Sequence, residues 1–187
     1  MKYRAVVIGA SAGGLEAITE VLSSLGQNWA IPIIIAMHRS PDSDRSMVEF
    51  LDDKLPLKVK EAESWEKISS GTVYFAAPDY HLLVEKNEFL TYSLDAKVNF
   101  SRPSIDVLFE TSADVYKENL IGIILTGANN DGSEGLKKIK NAGGLTIVQA
   151  PETAEHPEMP KAAISTVGPD YVLPLNKIGG FLNELCV

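Results

Sequence analysis

One serine of the chain sits in a distinctive local sequence. Val7-Ile8-Gly9-Ala10-Ser11-Ala12-Gly13-Gly14 runs from an apolar strand-like stretch into a helix-like one and matches G-x-S-x-G at a strand-turn-helix junction. Glycines permit a sharp turn that projects the serine hydroxyl, and the start of the helix supplies free backbone N–H groups for a developing oxyanion. The same junction could instead cradle a phosphate, yet neither G-x-G-x-x-G nor G-x-x-x-x-G-K-[ST] is present. A serine nucleophile needs a base, and the sequence holds three histidines. His38 directly follows the apolar run Ile31 to Met37 and so ends a neighbouring strand on the edge expected for Ser11. His81 opens a hairpin-like segment and His156 lies in the polar loop 151–160, where structural or surface roles fit better. The carboxylate that orients the base should end another strand, and Asp131 does so in Leu125-Thr126-Gly127-Ala128-Asn129-Asn130-Asp131-Gly132. An aspartate so placed could instead be a helix N-cap. With no histidine or cysteine beside it, Asp131 makes an incomplete metal site, and no metal is expected.

Elements that could hold such residues alternate along the chain. Ala5 to Ile8, Ile31 to Met37, Leu120 to Leu125 and Leu145 to Val148 are short apolar runs of the kind buried on both faces of a sheet. Between them Leu15, Ile18, Val21 and Leu22, then Ile105, Leu108 and Phe109, then Leu136 and Ile139, recur at helical spacing. The fold class is therefore α/β, doubly wound, with a mostly parallel sheet and helices on both faces. Pro103 is expected in the first turn of its helix. Residues 58–92 break the rhythm: Thr72 to Phe75 and His81 to Val84, punctuated by Gly71, Pro78-Asp79 and Lys86-Asn87, read as inserted antiparallel hairpins.

Composition narrows the function classes. At 187 residues and 45% hydrophobic content one domain spanning 1–187 is expected. The 17 basic and 25 acidic residues give a formal charge of −8, which would repel nucleic-acid phosphates, so no nucleic acid is expected as partner. No run approaches the roughly 18 apolar residues that span a bilayer, which points to a cytoplasmic protein without membrane insertion. Cys186 is the single cysteine; it reads as incidental, and no disulfide framework exists.

Taken together the motifs resemble the catalytic domain of the chemotaxis protein-glutamate methylesterases. The resemblance runs from Val6 to about Ile164. It covers the Ser11 turn, the strand before His38, Val59-Lys60-Glu61-Ala62, Gly71-Thr72-Val73-Tyr74, Ala77-Pro78 and Arg102-Pro103-Ser104-Ile105-Asp106-Val107-Leu108-Phe109. Leu125-Thr126-Gly127, Asn130-Asp131-Gly132, Met159-Pro160 and Ala163-Ile164 continue it. It implies a Ser, His, Asp triad in that chain order on Ser11, His38 and Asp131. It further implies hydrolysis of γ-glutamyl methyl esters on chemoreceptor signalling helices with release of methanol, deamidation of receptor glutamines, and no cofactor. The turn at Ala12 and Gly13 and the Ala128 loop are the expected oxyanion donors, and Arg102 an expected recognition group. This sequence departs from the family pattern at Ala12, commonly threonine; at Ala128 and Asn129, where the loop usually reads G-M-G-N-D-G; and at Pro157-Glu158, where F-G-M-P is usual. Members of the family usually carry an N-terminal receiver domain; none is expected here, because the first strand begins almost at Met1, and activity without phosphorylation of this chain is therefore expected, with tethering or regulation left to a partner signalling protein. Two other readings remain at this level: a weakly catalytic module that docks on receptors or signalling partners, and a phosphate or nucleotide binder.

Overall fold

The computed structural model describes residues 2–26 and 28–186. Its centre is a seven-stranded sheet in the order β10-β9-β8-β1-β2-β5-β3, formed by β1 (Ala5–Ala10), β2 (Ile33–Met37), β3 (Lys58–Glu61), β5 (Thr72–Phe75), β8 (Leu120–Ile124), β9 (Leu145–Gln149) and β10 (Tyr171–Leu173). Every neighbouring pair in it is parallel. A separate antiparallel sheet in the order β4-β7-β6 contains β4 (Glu66–Lys67), β6 (His81–Glu85) and β7 (Phe89–Ser93).

The apolar runs become central strands because every residue of β1, β2 and β8 is buried, as a sheet covered on both faces requires. Alternation sorts them between two cores. Val6, Ile8, Ile33 and Ile35 pack on the side of α1 (Gly14–Ser23), α2 (Ser46–Lys54) and α6 (Leu175–Cys186), while Val7, Ile34 and Ile124 face α3 (Ile105–Tyr116), α4 (Ser133–Asn141) and α5 (Glu158–Val167). Each fully buried aliphatic side chain contributes roughly 1.5–3 kcal/mol relative to exposure, and both layers are needed to cover strands that are apolar on both faces.

Two local expectations are corrected. Thr72 to Phe75 is no hairpin: it is β5, parallel to β2 and β3 within the main sheet, and all four of its residues are buried. Pro103 lies outside its helix, whose N-cap is Ser104 and whose first residue is Ile105; the Arg102–Pro103 bond is cis. The hairpin expected at His81 to Val84 is present as β6 paired with β7.

All seven strands of the main sheet point the same way, so their C-terminal ends form one edge. The sheet order places β1 between β8 and β2, the point where connections leave in opposite directions and loops diverge to open a crevice. Gly9, near the end of β1, is required there: a Cβ would come within 2.3 Å of Ile105 Cγ2. Its absence lets the start of α3 settle against the strand that carries Ser11.

Candidate active site

Ser11, His38 and Asp131, read from three separate strand ends, converge. His38 Nδ1 lies 3.2 Å from Ser11 Oγ and His38 Nε2 lies 2.8 Å from Asp131 Oδ2. Ser11 directly follows β1, and its N–H donates to Thr126 O at 3.0 Å. His38 directly follows β2 and its N–H donates to Ala10 O at 3.2 Å, so the ladder itself sets the offset between nucleophile and base. The next residue secures the strand end. Arg39 donates to Ala76 O at 2.8 Å and to Glu61 Oε2 at 3.2 Å, tying the ends of β2, β5 and β3 together.

Asp131 is not a cap of its own helix. The N-cap of α4 is Gly132, and the Asp131 carboxylate turns instead to the start of α3, where it accepts Ile105 N–H at 2.7 Å and Asp106 N–H at 3.2 Å. Ser104 Oγ at 2.9 Å and Asn99 Nδ2 at 3.0 Å complete its shell. Its side chain is fully buried. Burial alone would drive the carboxyl pKa up, but the hydrogen bonds from His38, Ile105 and Asn99 outweigh it and hold Asp131 below the ordinary carboxylate range. The positive end of α3 acts in the same direction. An ionised Asp131 must receive a proton from Nε2, which makes Nε2 the protonated nitrogen and leaves the Nδ1 lone pair toward Ser11.

Two further polar residues, not singled out from the sequence, complete the arrangement. Asn129 accepts Asp131 N–H at 3.0 Å through Oδ1 and points Nδ2 at His38 Nδ1, 3.3 Å away. Asn99 Nδ2 spans Asp131 and Asp106, with Asp106 Oδ2 at 2.7 Å. Asp106 in turn accepts Gly135 N–H at 2.7 Å, so a carboxylate at the start of α3 caps α4 while Asp131, two residues ahead of α4, caps α3. Burial and the nearby Asp131 charge, opposed by Gly135 N–H, push Asp106 up to about 6. The sequence signal available for Asn99 and Ser104 was only their place beside the Arg102-Pro103 pair; nothing in residue type alone links them to Asp131.

The candidate oxyanion donors flank Ser11. Gly13 is the left-handed N-cap of α1, with φ +72°. Among the described residues the backbone N–H groups of Ala12, Gly13 and Ala128 donate to no protein acceptor, and Ala128 is exposed, so these donors are open to an incoming oxygen. The segment from 151 into the first turn of α5 closes over the Ser11 turn: Thr126 Oγ1 donates to Ala12 O at 3.0 Å and accepts His156 N–H at 2.8 Å, and Met159 N–H donates to Gly127 O at 2.8 Å. Glu155 sits over Gly13, its Oε2 2.8 Å from the position a Cβ would take.

The remaining expectations resolve as follows. Arg102 is held by Asp79 Oδ1, at 3.1 Å from Nε and 2.9 Å from Nη2, and donates through Nη1 to the carbonyls of Leu94 and Asp95; it braces the loop that carries Asn99. His81 is buried, with Ser104 N–H donated to Nδ1 and Nε2 facing Ala96 O. His156 is a partly exposed side chain whose Nε2 lies 3.6 Å from Glu155 Oε1. Cys186 is buried, and burial pushes its thiol up to about 11. Among the described residues no group of acidic, histidine or cysteine side chains is arranged to hold a metal, and no helix is long and apolar enough to cross a membrane.

Known proteins are similar to this chain over nearly its whole length. The family model described as CheB methylesterase matches residues 6–182. A Leptospira interrogans relative is 53% identical over 178 residues, covering 95% of this chain and 92% of the relative. A Thermotoga maritima protein named protein-glutamate methylesterase/protein-glutamine glutaminase is 39% identical over 183 residues, 96% of this chain but 53% of that protein; the chain thus spans about half of this longer relative. The crystal structure of the Thermotoga maritima CheB methylesterase catalytic domain superposes with a TM-score of 0.94 at 36% identity, covering 98% of each chain. A parallel sheet whose central strand ends deliver Ser11, His38 and Asp131 into one hydrogen-bonded row, matched over nearly its whole length by this model and this structure, belongs to the CheB methylesterase family.

Proposed function

We propose that the chain is a protein-glutamate methylesterase in which Ser11 is the nucleophile, His38 the general base and Asp131 the acid that orients it. The observation that carries the reading is the continuous row from Ser11 Oγ through His38 to an Asp131 carboxylate held ionised by the start of α3. His38 Nδ1 accepts the Ser11 proton as Oγ attacks the ester carbonyl, forming the new C–O bond; backbone N–H groups of Ala12, Gly13 and Ala128 receive the oxyanion. Collapse of the tetrahedral intermediate breaks the bond to methoxide, which takes the proton from Nδ1 and leaves as methanol. Water then gives a proton to Nδ1 and attacks the glutamyl-serine ester, restoring Ser11 and leaving a γ-carboxylate. A side-chain carboxamide offers the same electrophilic carbon, with ammonia as leaving group, so glutamine deamidation uses the same groups.

The substrate we assign is the methylated signalling helix of a chemoreceptor. Incubation with receptor carrying radiolabelled methyl groups should release volatile label, with Ser11→Ala as blank. Release no greater than the blank, while small esters are still hydrolysed, overturns the receptor substrate and leaves the hydrolase.

A further inference from the structure

Phe100 is held in a way that folding does not reward. Val98 and Ser101 exchange both N–H···O=C bonds, at 3.2 and 2.9 Å, closing a two-residue turn whose central residues are both left-handed, Asn99 at φ +49° and Phe100 at φ +62°. Such turns select Asn-Gly, because the second residue must accept a positive φ without a Cβ clash. Here that second residue is phenylalanine, a type for which positive φ is a true outlier. The residue is 97% exposed, so no packing offsets the backbone cost. Leu94, at 63%, and Val98, at 37%, extend the same exposed apolar edge.

The turn is also rooted in the catalytic row. Asn99, the other central residue, donates from Nδ2 to both Asp131 and Asp106, and Arg102 ties the base of the loop to Asp79. The turn therefore stands one side chain away from the acid of the row, and a protein that brings an esterified side chain to Ser11 comes close to it. Trp65 makes a useful contrast: it too is left-handed, at φ +62°, and 74% exposed, but it leads into β4 of the antiparallel sheet and donates its N–H to Leu90 O of β7 at 2.7 Å.

Resting on the methylesterase reading, we propose that Phe100 is a specificity-determining residue that selects esters presented on protein helices. Its ring takes an apolar side chain of the substrate helix beside the esterified glutamate. The strained turn and its anchor on Asn99 keep the ring from folding back onto the protein, so it is pre-organised for that contact.

The test compares methylated receptor with 4-nitrophenyl acetate as substrates for the wild type and for Phe100→Ala, Phe100→Gly, Phe100→Tyr and Trp65→Ala. In Phe100→Ala and Phe100→Gly the ratio of receptor to small-ester kcat/KM should fall about tenfold, the loss carried by a higher KM, as expected for an exposed aromatic anchor. Phe100→Tyr should restore the ratio and Trp65→Ala should leave it at the wild-type value. Phe100→Gly should also melt at a higher temperature than the wild type, because glycine accepts the turn. An unchanged ratio in Phe100→Ala and Phe100→Gly, or an equal fall in Trp65→Ala, overturns the proposal while leaving the esterase reading intact. Absence of receptor turnover by the wild type, with the small ester still hydrolysed, overturns this proposal and the receptor substrate together and leaves the hydrolase.

Discussion

His38 presents Nε2 to the acid and Nδ1 to the nucleophile, and the acid is held by five donors divided between its two oxygens: Asn99, Ser104 and Asp106 on Oδ1, His38 and Ile105 on Oδ2. Ser11→Ala and His38→Ala should each lower ester hydrolysis by about four to six orders of magnitude, since members of a triad act as a unit; initial rates on a small ester check this. Asp131→Asn should cost stability as well as rate. Whichever way the amide turns, its NH2 meets at least two donors, and each buried group left unpaired costs about 1–3 kcal/mol, to be read from urea denaturation. Asp106 gives a pH signature. Its pKa near 6 in the folded state lies above the usual 3.8, so between those values the folded chain holds a proton that the unfolded chain lacks. This group therefore adds stability as pH falls from 7 through 6, and subtracts it on the alkaline side. The gain in melting temperature from pH 7 to pH 5 should be larger in the wild type than in Asp106→Asn.

At the scale of elements, the reciprocal capping of α3 and α4 is what turns three strand ends into a site. Gly135 is the contact point: an added Cβ would come within 2.6 Å of Phe109 Cβ and 2.9 Å of Asp106 O, whereas nothing lies within 4 Å of one at Gly180 in α6. The same substitution should therefore have opposite signs. Gly135→Ala should destabilise by about 1–3 kcal/mol through overpacking and lower kcat as the start of α3 moves from Asp131, while Gly180→Ala should stabilise by about 0.5–1 kcal/mol as a helix-interior exchange. Melting curves of the two variants decide it. The strands that carry Ser11 and His38 were legible because each is an uninterrupted apolar run ending at a chemically distinctive residue. β5 was misread because Thr72 to Phe75 sits between turn signals and is as short as a hairpin arm; only its tertiary setting between β2 and β3 makes it a buried parallel strand. Asn99, Ser104 and Asn129 were not legible as site residues, since their roles depend on two loops meeting across the sheet edge.

For the molecule as a whole, charge bears on encounter. A formal charge of −8 repels a substrate surface that is itself acidic at long range, and salt screens that repulsion over about 8–10 Å at physiological strength. Raising salt from about 20 to about 150 mM should increase kcat/KM on methylated receptor and leave a neutral small ester unaffected. A fall with salt would mean that local positive groups dominate recognition.

The orientation of the imidazole has a consequence for covalent inhibitors. A haloketone directed to the nucleophile delivers its methylene carbon to whichever histidine nitrogen faces the cleft, and here that is Nδ1, since Nε2 is buried against Asp131. Alkylation should give the pros isomer of the modified histidine rather than the tele isomer. Amino-acid analysis of the hydrolysed adduct distinguishes the two, and recovery of the tele isomer would show that the ring turns over before it reacts.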